Sequence, residues 1–149
     1  MTDAYSSDVL KLAADIPHLG RLASAHGSAA KTSRICGSEL VVDIRLGADG
    51  TIAEIGLDLQ ACALGQASAS VLARNAIGAS RAEIEAGRDG LKAMLKDGAP
   101  PPEGRFSELS ALQPAASYRQ RHGSILLAFE AAAEAFARAA VDSASSGGR

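Results

Sequence analysis

The sequence predicts an α+β domain in which a small antiparallel sheet, built on a hairpin, packs against helices. Two mid-chain segments alternate apolar and polar residues around a glycine-containing turn, and the segments after them carry apolar residues at helical spacing. At 149 residues the chain is long enough for one domain with a buried core. Because aromatic residues make up only 3%, that core must consist mainly of Ala, Leu, Ile and Val.

The first predicted element is a short helix, because four apolar residues recur at helical spacing before Pro17. These residues are Val9, Leu12, Ala13 and Ile16. Residues 17–33 are rich in Gly, Ala, Ser and His, and an irregular segment is predicted there. We interpret His18 and His26 within it as surface residues rather than ligands.

The hairpin follows. Its first strand is predicted by alternation along 39–46, which indicates a half-buried strand with Asp43 on the side away from the core. The turn is Gly47-Ala48-Asp49-Gly50, and the return strand places Ile55, Leu57 and Leu59 on one side. Ile52 falls out of phase with that side, which indicates a bulge or a later strand start.

Helices are predicted for most of the remaining chain. Residues 63–77 form one helix with Gly78 as its C-cap, and Ser80 with Glu83 forms a capping box that opens a second helix over 81–96. A proline-rich loop and a short packed turn follow. The last helix is predicted from about 119 to 141, with apolar residues on one face. Residues 1–141 are predicted to be a single domain and 142–149 a disordered tail.

Composition narrows the functional classes. The net charge of −2 gives no electrostatic footprint for nucleic acid, and no apolar run has the length of a membrane helix. The N-terminal residues lack the pattern of a signal peptide, so a cytoplasmic location is expected. In such a compartment, the two cysteines are expected to be thiols rather than a structural disulfide.

The two cysteines, Cys36 and Cys62, flank the predicted hairpin, whose ends fold together. Cys62 falls at or just before the first turn of a predicted helix, where unpaired N–H groups favour the thiolate. Two neighbouring thiols can be metal ligands, redox partners or sulfur carriers. They can also be small apolar residues that fill the core.

His122 is the candidate third metal ligand, because it opens the last predicted helix. Arg119 and Arg121 flank it. The alternative is that its ring only caps that helix or meets solvent. The two arginines are ordinary surface residues or the receiving surface for an acidic patch on a partner.

Three segments resemble the NifU/IscU/SufU family of iron–sulfur cluster assembly scaffolds. Cys36-Gly37 is similar to the family's Cys-Gly-Asp motif, and Cys62 followed by Gln66-Ala67-Ser68-Ala69-Ser70 is similar to its second cysteine motif. His122-Gly123-Ser124-Ile125-Leu126 is similar to the third. The resemblance implies a NifU-like fold of the U-type scaffold architecture and covers residues 5–140.

The chain departs from the family pattern at two positions. Ser38 stands where the motif has Asp, and Gly123 stands where it has its third Cys. The family's Asp helps to ligate metal or keeps a bound cluster labile, and its third Cys accepts sulfur or serves as a ligand. The resemblance therefore leaves Cys36, Cys62 and His122 to hold zinc or a labile iron–sulfur cluster, or nothing.

The resemblance implies a non-enzymatic scaffold or accessory protein that holds iron and sulfide transiently on Cys36 and Cys62. The partners implied are a cysteine desulfurase, a chaperone or apo-iron–sulfur proteins, with no nucleic acid or membrane, and self-association is open. One alternative is a clusterless adaptor or regulator of the same machinery. Another is a sulfur-transfer protein in which Cys62 accepts a persulfide and Cys36 resolves it.

Overall fold

Three strands and four α-helices make up the fold in the computed structural model, which describes residues 5–35 and 37–147, with side chains only as far as residue 141. The elements, in chain order, are α1 (Ser7–Ala14), β1 (Gly27–Ser33), β2 (Ser38–Leu46), β3 (Ile52–Gln60), α2 (Ala63–Asn75), α3 (Arg81–Asp97) and α4 (His122–Gly147). Two 3₁₀ segments, Gly104–Ser117 and Arg119–Arg121, connect α3 to α4. The prediction of a disordered tail over 142–149 stays a prediction.

The predicted hairpin is confirmed as strands β2 and β3. Their antiparallel register pairs Glu39 with Gln60 at the open end, so the chain just before β2 and just after β3 lies at one edge of the sheet. At the turn end, Arg45 pairs with Glu54 and Leu46 pairs with Ile52. The out-of-phase position of Ile52 is therefore explained by a β-bulge.

The prediction of an irregular segment over 17–33 is wrong for β1, which pairs antiparallel with β2 from Gly27 opposite Ile44 to Ser33 opposite Ser38. Small residues suit this strand because α4 lies close against it. A Cβ on Gly27 would lie 2.1 Å from the carbonyl oxygen of Ala135 in α4, so only glycine fits.

The chain before β1 crosses the face of the sheet that points away from α4. It buries the carboxylate of Asp43, which was expected to lie on the side away from the core. Arg21 Nε donates to Asp43 Oδ2 at 2.6 Å, and the Leu22 amide donates to the same oxygen at 3.0 Å. The Asp43 side chain is 0% exposed. The surface interpretation of His26 also needs correction, because this half-buried ring accepts a hydrogen bond from the Leu46 amide at Nδ1 (2.9 Å). His18 is exposed.

Helix α4 is the central helix, packed on β1 and β2 on one side and on α2 and α3 on the other. It is buried on more than the one face predicted. The Ser80 capping box at the start of α3 is confirmed, with Ser80 Oγ accepting from the Glu83 amide at 3.2 Å. Helix α2 ends earlier than predicted, with Ala76 rather than Gly78 as its C-cap. Among the described helices, none is long and apolar enough to cross a membrane.

Candidate functional site

Cys62 lies at the point where β3 gives way to α2. Its backbone is extended (φ −68°, ψ 169°), and it is the N-cap residue of α2, which begins at Ala63. The side chain is half-buried, so the sulfur is sheltered but not sealed from solvent. The predicted placement of Cys62 at the start of a helix is confirmed.

Two buried serine hydroxyls continue from this sulfur into the domain. Ser124 Oγ, in the first turn of α4, lies 3.5 Å from Cys62 Sγ. The same hydroxyl lies 2.8 Å from Ser38 Oγ at the start of β2. Ser38 and Ser124 are each 1% exposed. The starts of β2, α2 and α4 therefore meet at one chain of polar atoms, which we call the thiol–serine chain (Cys62, Ser124 and Ser38).

A glycine in α2 makes this meeting possible. A Cβ on Gly65 would lie 2.5 Å from Ser124 Oγ and 3.2 Å from the Ser124 carbonyl oxygen. Any larger residue would therefore push α4 away from α2 and carry the hydroxyl out of reach of Cys62. The sequence pattern around Gly65 does not predict this contact, although a glycine inside a helix often marks a close backbone approach.

The surroundings of Cys62 favour its thiolate. Burial alone raises the pKa of the thiol, but hydrogen bonds from Ser124 and from the amides of Gly65 and Leu64, with the positive charge of Arg121, outweigh it. The net result is a pKa of Cys62 below the usual value for cysteine. The prediction that a helix start would favour the thiolate is thus confirmed, and Ser124 supplies a contribution that the spacing did not predict.

Gly123, the position of the family's third cysteine, is exposed and directly precedes Ser124. Among the described residues, a Cβ built there would meet only Ser33, with Oγ at 3.1 Å. Ser33 in turn pairs with Ser38 across β1 and β2. The three positions that carry the family resemblance beside Cys36, namely Ser38, Cys62 and Gly123, therefore converge, but two of them bring neither a carboxylate nor a thiol.

Cys36, the other predicted ligand, lies outside the described residues. Its neighbours Ile35 and Gly37 belong to the turn that joins β1 to β2, and both are exposed. That turn begins after Ser33 and ends at Ser38, so it leaves the sheet beside the thiol–serine chain.

His122 is the first residue of α4 and is only 5% exposed. Its Nε2 lies 2.8 Å from the carbonyl oxygen of Ala116 in the preceding 3₁₀ segment. Side chains two positions apart on an α-helix point about 200° apart around its axis, so the side chains of His122 and Ser124 leave α4 on different sides. Among the residues that the structure describes, no group of three His, Cys, Asp or Glu side chains could hold a metal ion. The role of His122 as a ligand stays a prediction.

The fold and the site together define an α+β domain built around a thiol of lowered pKa at a helix start. Residues 4–122 match the family described as the NifU-like N terminal domain. The chain belongs to this family. The predicted resemblance and the predicted α+β fold are thereby confirmed.

Solved structures agree with this assignment. The N-terminal NifU-like protein from Brucella abortus, described as nitrogen-fixing, is 38% identical, with a TM-score of 0.89 over 93% of this chain and 95% of that one. A candidate iron–sulfur cluster assembly scaffold protein for the SUF system from Fervidobacterium islandicum is 20% identical, with a TM-score of 0.81 over 89% of this chain and 96% of that one. At that identity, the second likeness shows the fold alone. The search of curated proteins found no match.

Proposed function

We propose that this protein is a scaffold or accessory protein in iron–sulfur cluster assembly that holds iron or a labile cluster, or zinc, through Cys36 and Cys62. Family membership supports the class of function. The observation that carries the proposal is the half-buried Cys62 at the start of α2, with Ser124 Oγ 3.5 Å from its sulfur. A thiolate stabilised in this way is the ligand that soft metal ions and clusters prefer.

The donor set explains why the cargo would be held transiently. Ser38 and Gly123 stand where the family has an Asp and a Cys, so the site loses two potential anionic ligands. The serine hydroxyls of the thiol–serine chain are neutral and are already hydrogen-bonded to each other. Since stable zinc and cluster sites use about four ligands, this site needs ligands from outside the chain to complete its cargo's shell.

His122 is the proposed third ligand within the chain. If Nε2–H donates to the Ala116 carbonyl oxygen, Nδ1 keeps its lone pair. Ligating histidines commonly fix their second ring nitrogen on a carbonyl in this way. The ring would have to present Nδ1 toward the Cys62 side of α4, which makes His122 the member of the set to test separately.

Anaerobic reconstitution with ferrous iron and sulfide tests the proposal. We expect the wild-type chain to retain iron and acid-labile sulfide, and Cys62→Ser and Cys36→Ser to lose most of both. His122→Gln is expected to retain less iron than the wild type. Ser68→Ala is the matched control, because Ser68 is a buried α2 residue whose hydroxyl has no hydrogen-bond partner among the described residues. Absence of iron, zinc and sulfide from the wild type, or unchanged loading of the cysteine variants, would contradict the proposal.

The lowered pKa of Cys62 favours a second candidate function, persulfide acceptance. The Cys62 thiolate would attack the outer sulfur of a persulfide on a cysteine desulfurase. The donor's S–S bond breaks, its electron pair leaves with the donor thiolate, and Cys62 carries the new persulfide. Attack by Cys36 on the inner sulfur would then form a disulfide and release sulfide, so the two thiols supply the electrons.

Persulfide trapping after incubation with a desulfurase and cysteine separates the two candidates. We expect labelling on Cys62 that survives Cys36→Ser and disappears in Cys62→Ser. Labelling at background level in the wild type would remove this candidate. Apo-iron–sulfur proteins and a chaperone are the further partners we propose, with a cytoplasmic location. A chain that neither loads iron nor accepts sulfur would instead be a clusterless adaptor.

A further inference from the structure

A cavity of about 380 Å³ lies on the other side of the start of α4 from the thiol–serine chain. Leu95 and Lys96 at the end of α3, Ala116 and Arg119 from the 3₁₀ segments, and His122 line it. Its volume is within the range of about 300–1,000 Å³ that is typical of small-molecule sites. Neither proposed function uses Lys96 or Arg119.

Among the residues that the structure describes, the lining carries positive charge and no carboxylate. Lys96, Arg119 and the buried His122 are its polar side chains. Three other cavities of the described residues each include acidic residues, for example Glu85 and Asp89 in the groove between α3 and α4. The linings of those three cavities mix cations with carboxylates, whereas the described lining of this cavity contains cations alone.

The two cations also have no ion-pair partner within the described part of the chain. Among the described residues, neither Lys96 nor Arg119 forms a salt bridge. In the groove between α3 and α4, by contrast, Arg81 pairs with Glu85 at 3.2 Å and Arg88 pairs with Asp89 at 2.9 Å. A guanidinium with all its donors available favours a planar or tetrahedral oxyanion, which it can bind through two parallel hydrogen bonds.

We propose that this cavity binds a small oxyanion with two or more negative charges, of the phosphate or polycarboxylate type. Arg119 provides the fork of donors and Lys96 provides a second charge. Because Lys96 also lies in the last turn of α3, part of its charge offsets the partial negative charge of that helix end. Arg119 is therefore the stronger determinant. The inference does not depend on iron or sulfur chemistry, since neither residue is a proposed ligand.

An NMR titration of the full-length, metal-free chain tests the proposal. Inorganic phosphate and citrate are added in separate arms at constant ionic strength, with sodium chloride as the reference anion. We expect saturable shifts of the Arg119 and His122 resonances with phosphate, citrate or both, and the arm that saturates identifies the type of oxyanion. Shifts no larger than those caused by chloride in both arms would overturn the proposal.

Variants then locate the binding. Arg119→Gln is expected to weaken the oxyanion about tenfold, the effect of losing one charge-assisted interaction, and Lys96→Gln about threefold. Lys92→Gln is the matched control, because Lys92 lies one turn earlier on α3 and lines the mixed-charge groove instead. All three residues are exposed, so the variants are expected to fold. Equal weakening by Lys92→Gln, or no weakening by Arg119→Gln, would overturn the assignment to this cavity.

Discussion

Strand β2 carries two buried polar residues, Ser38 and Asp43, and their surroundings differ in a way that separates structure from chemistry. Asp43 accepts hydrogen bonds from Arg21, the Leu22 amide and Ser28, so its carboxylate is fully occupied. Within the described residues, Ser38 bonds only to another hydroxyl, and the thiol–serine chain ends on the half-buried sulfur of Cys62. A closed network fixes the fold, whereas an open one leaves an atom available for an incoming ion or sulfur.

The largest expected effect comes from breaking the closed network. Asp43→Ala should lower the free energy of unfolding by about 2–4 kcal/mol, because it leaves buried donors without an acceptor. Urea denaturation measures the loss. Glu39→Ala is the matched control, since Glu39 lies on the same strand and is exposed. If the Asp43 network and the thiol–serine chain are independent, the rate of Cys62 alkylation in folded Asp43→Ala will match that of the wild type.

Acid should reproduce this effect. Burial acts to raise the pKa of Asp43, but hydrogen bonds from Arg21, Ser28 and the Leu22 amide, with the Arg21 charge, leave it lowered. The stabilisation is therefore present above the ordinary carboxyl pKa of about 3.9 and is lost as the pH falls through the lower folded value. We expect the difference in unfolding free energy between wild type and Asp43→Asn to shrink as the pH falls into that region. A difference that stays constant with pH would mean that the Asp43 charge contributes nothing.

The next effect tests how closely α2 and α4 must approach. Gly65→Ala should cost about 1–3 kcal/mol, because its Cβ would lie 2.5 Å from Ser124 Oγ. It should also slow alkylation of Cys62. Gly123→Ala is the control, as the new Cβ would meet the Ser33 side chain alone among the described residues, and its stability should stay within about 0.5 kcal/mol of the wild type. Similar losses for both variants would show that the close helix contact has no special role.

A smaller effect isolates the hydroxyl that touches the sulfur. Ser124→Ala should raise the pKa of Cys62, because it removes a hydrogen bond to the thiolate. The expected result is alkylation slower by about three- to tenfold at pH values below the titration midpoint, the equivalent of one hydrogen bond. Rates measured across a pH series check it, with Ser68→Ala as the control. An unchanged midpoint would leave the α2 amides and the Arg121 charge responsible for the thiolate.

The smallest effect concerns the far end of the thiol–serine chain. Ser38 contacts the Ser124 hydroxyl rather than the Cys62 sulfur, so it acts by holding that hydroxyl in place. Ser38→Ala should therefore change the rate of Cys62 alkylation by about twofold or less. Added to Ser124→Ala, it should cause no further change. Additive effects in the double variant would show that Ser38 reaches Cys62 by another route.

The sequence was sufficient for elements that are encoded locally. The β2–β3 alternation, the Ser80 capping box and the helical spacing along α2 and α4 each depend on residues a few positions apart. Strand β1 was missed because its sequence, Gly-Ser-Ala-Ala-Lys-Thr-Ser, lacks the large alternating residues of a strand. Its pairing with β2 and the close approach of α4 to Gly27 determine its structure, and both contacts are distant in sequence.

The candidate site was predictable only where a motif marked it. Cys62 was found from its motif, and Ser124 was quoted as part of another, but their contact joins positions far apart in the chain. Asp43 is buried because the chain before β1 crosses the sheet and places the Leu22 amide against it. The alternation of apolar and polar residues along β2 does not indicate that crossing. The cation-lined cavity likewise combines the end of α3 with the start of α4.

Helix α4 carries Ser124 in its first turn and then runs through the middle of the domain, buried against the sheet, α2 and α3. A metal ion or cluster that binds at this first turn therefore holds the central helix in place. Its binding free energy adds to the free energy of unfolding of the whole domain. The melting temperature therefore measures how much of the protein has its site occupied, even by a spectroscopically silent ion such as zinc.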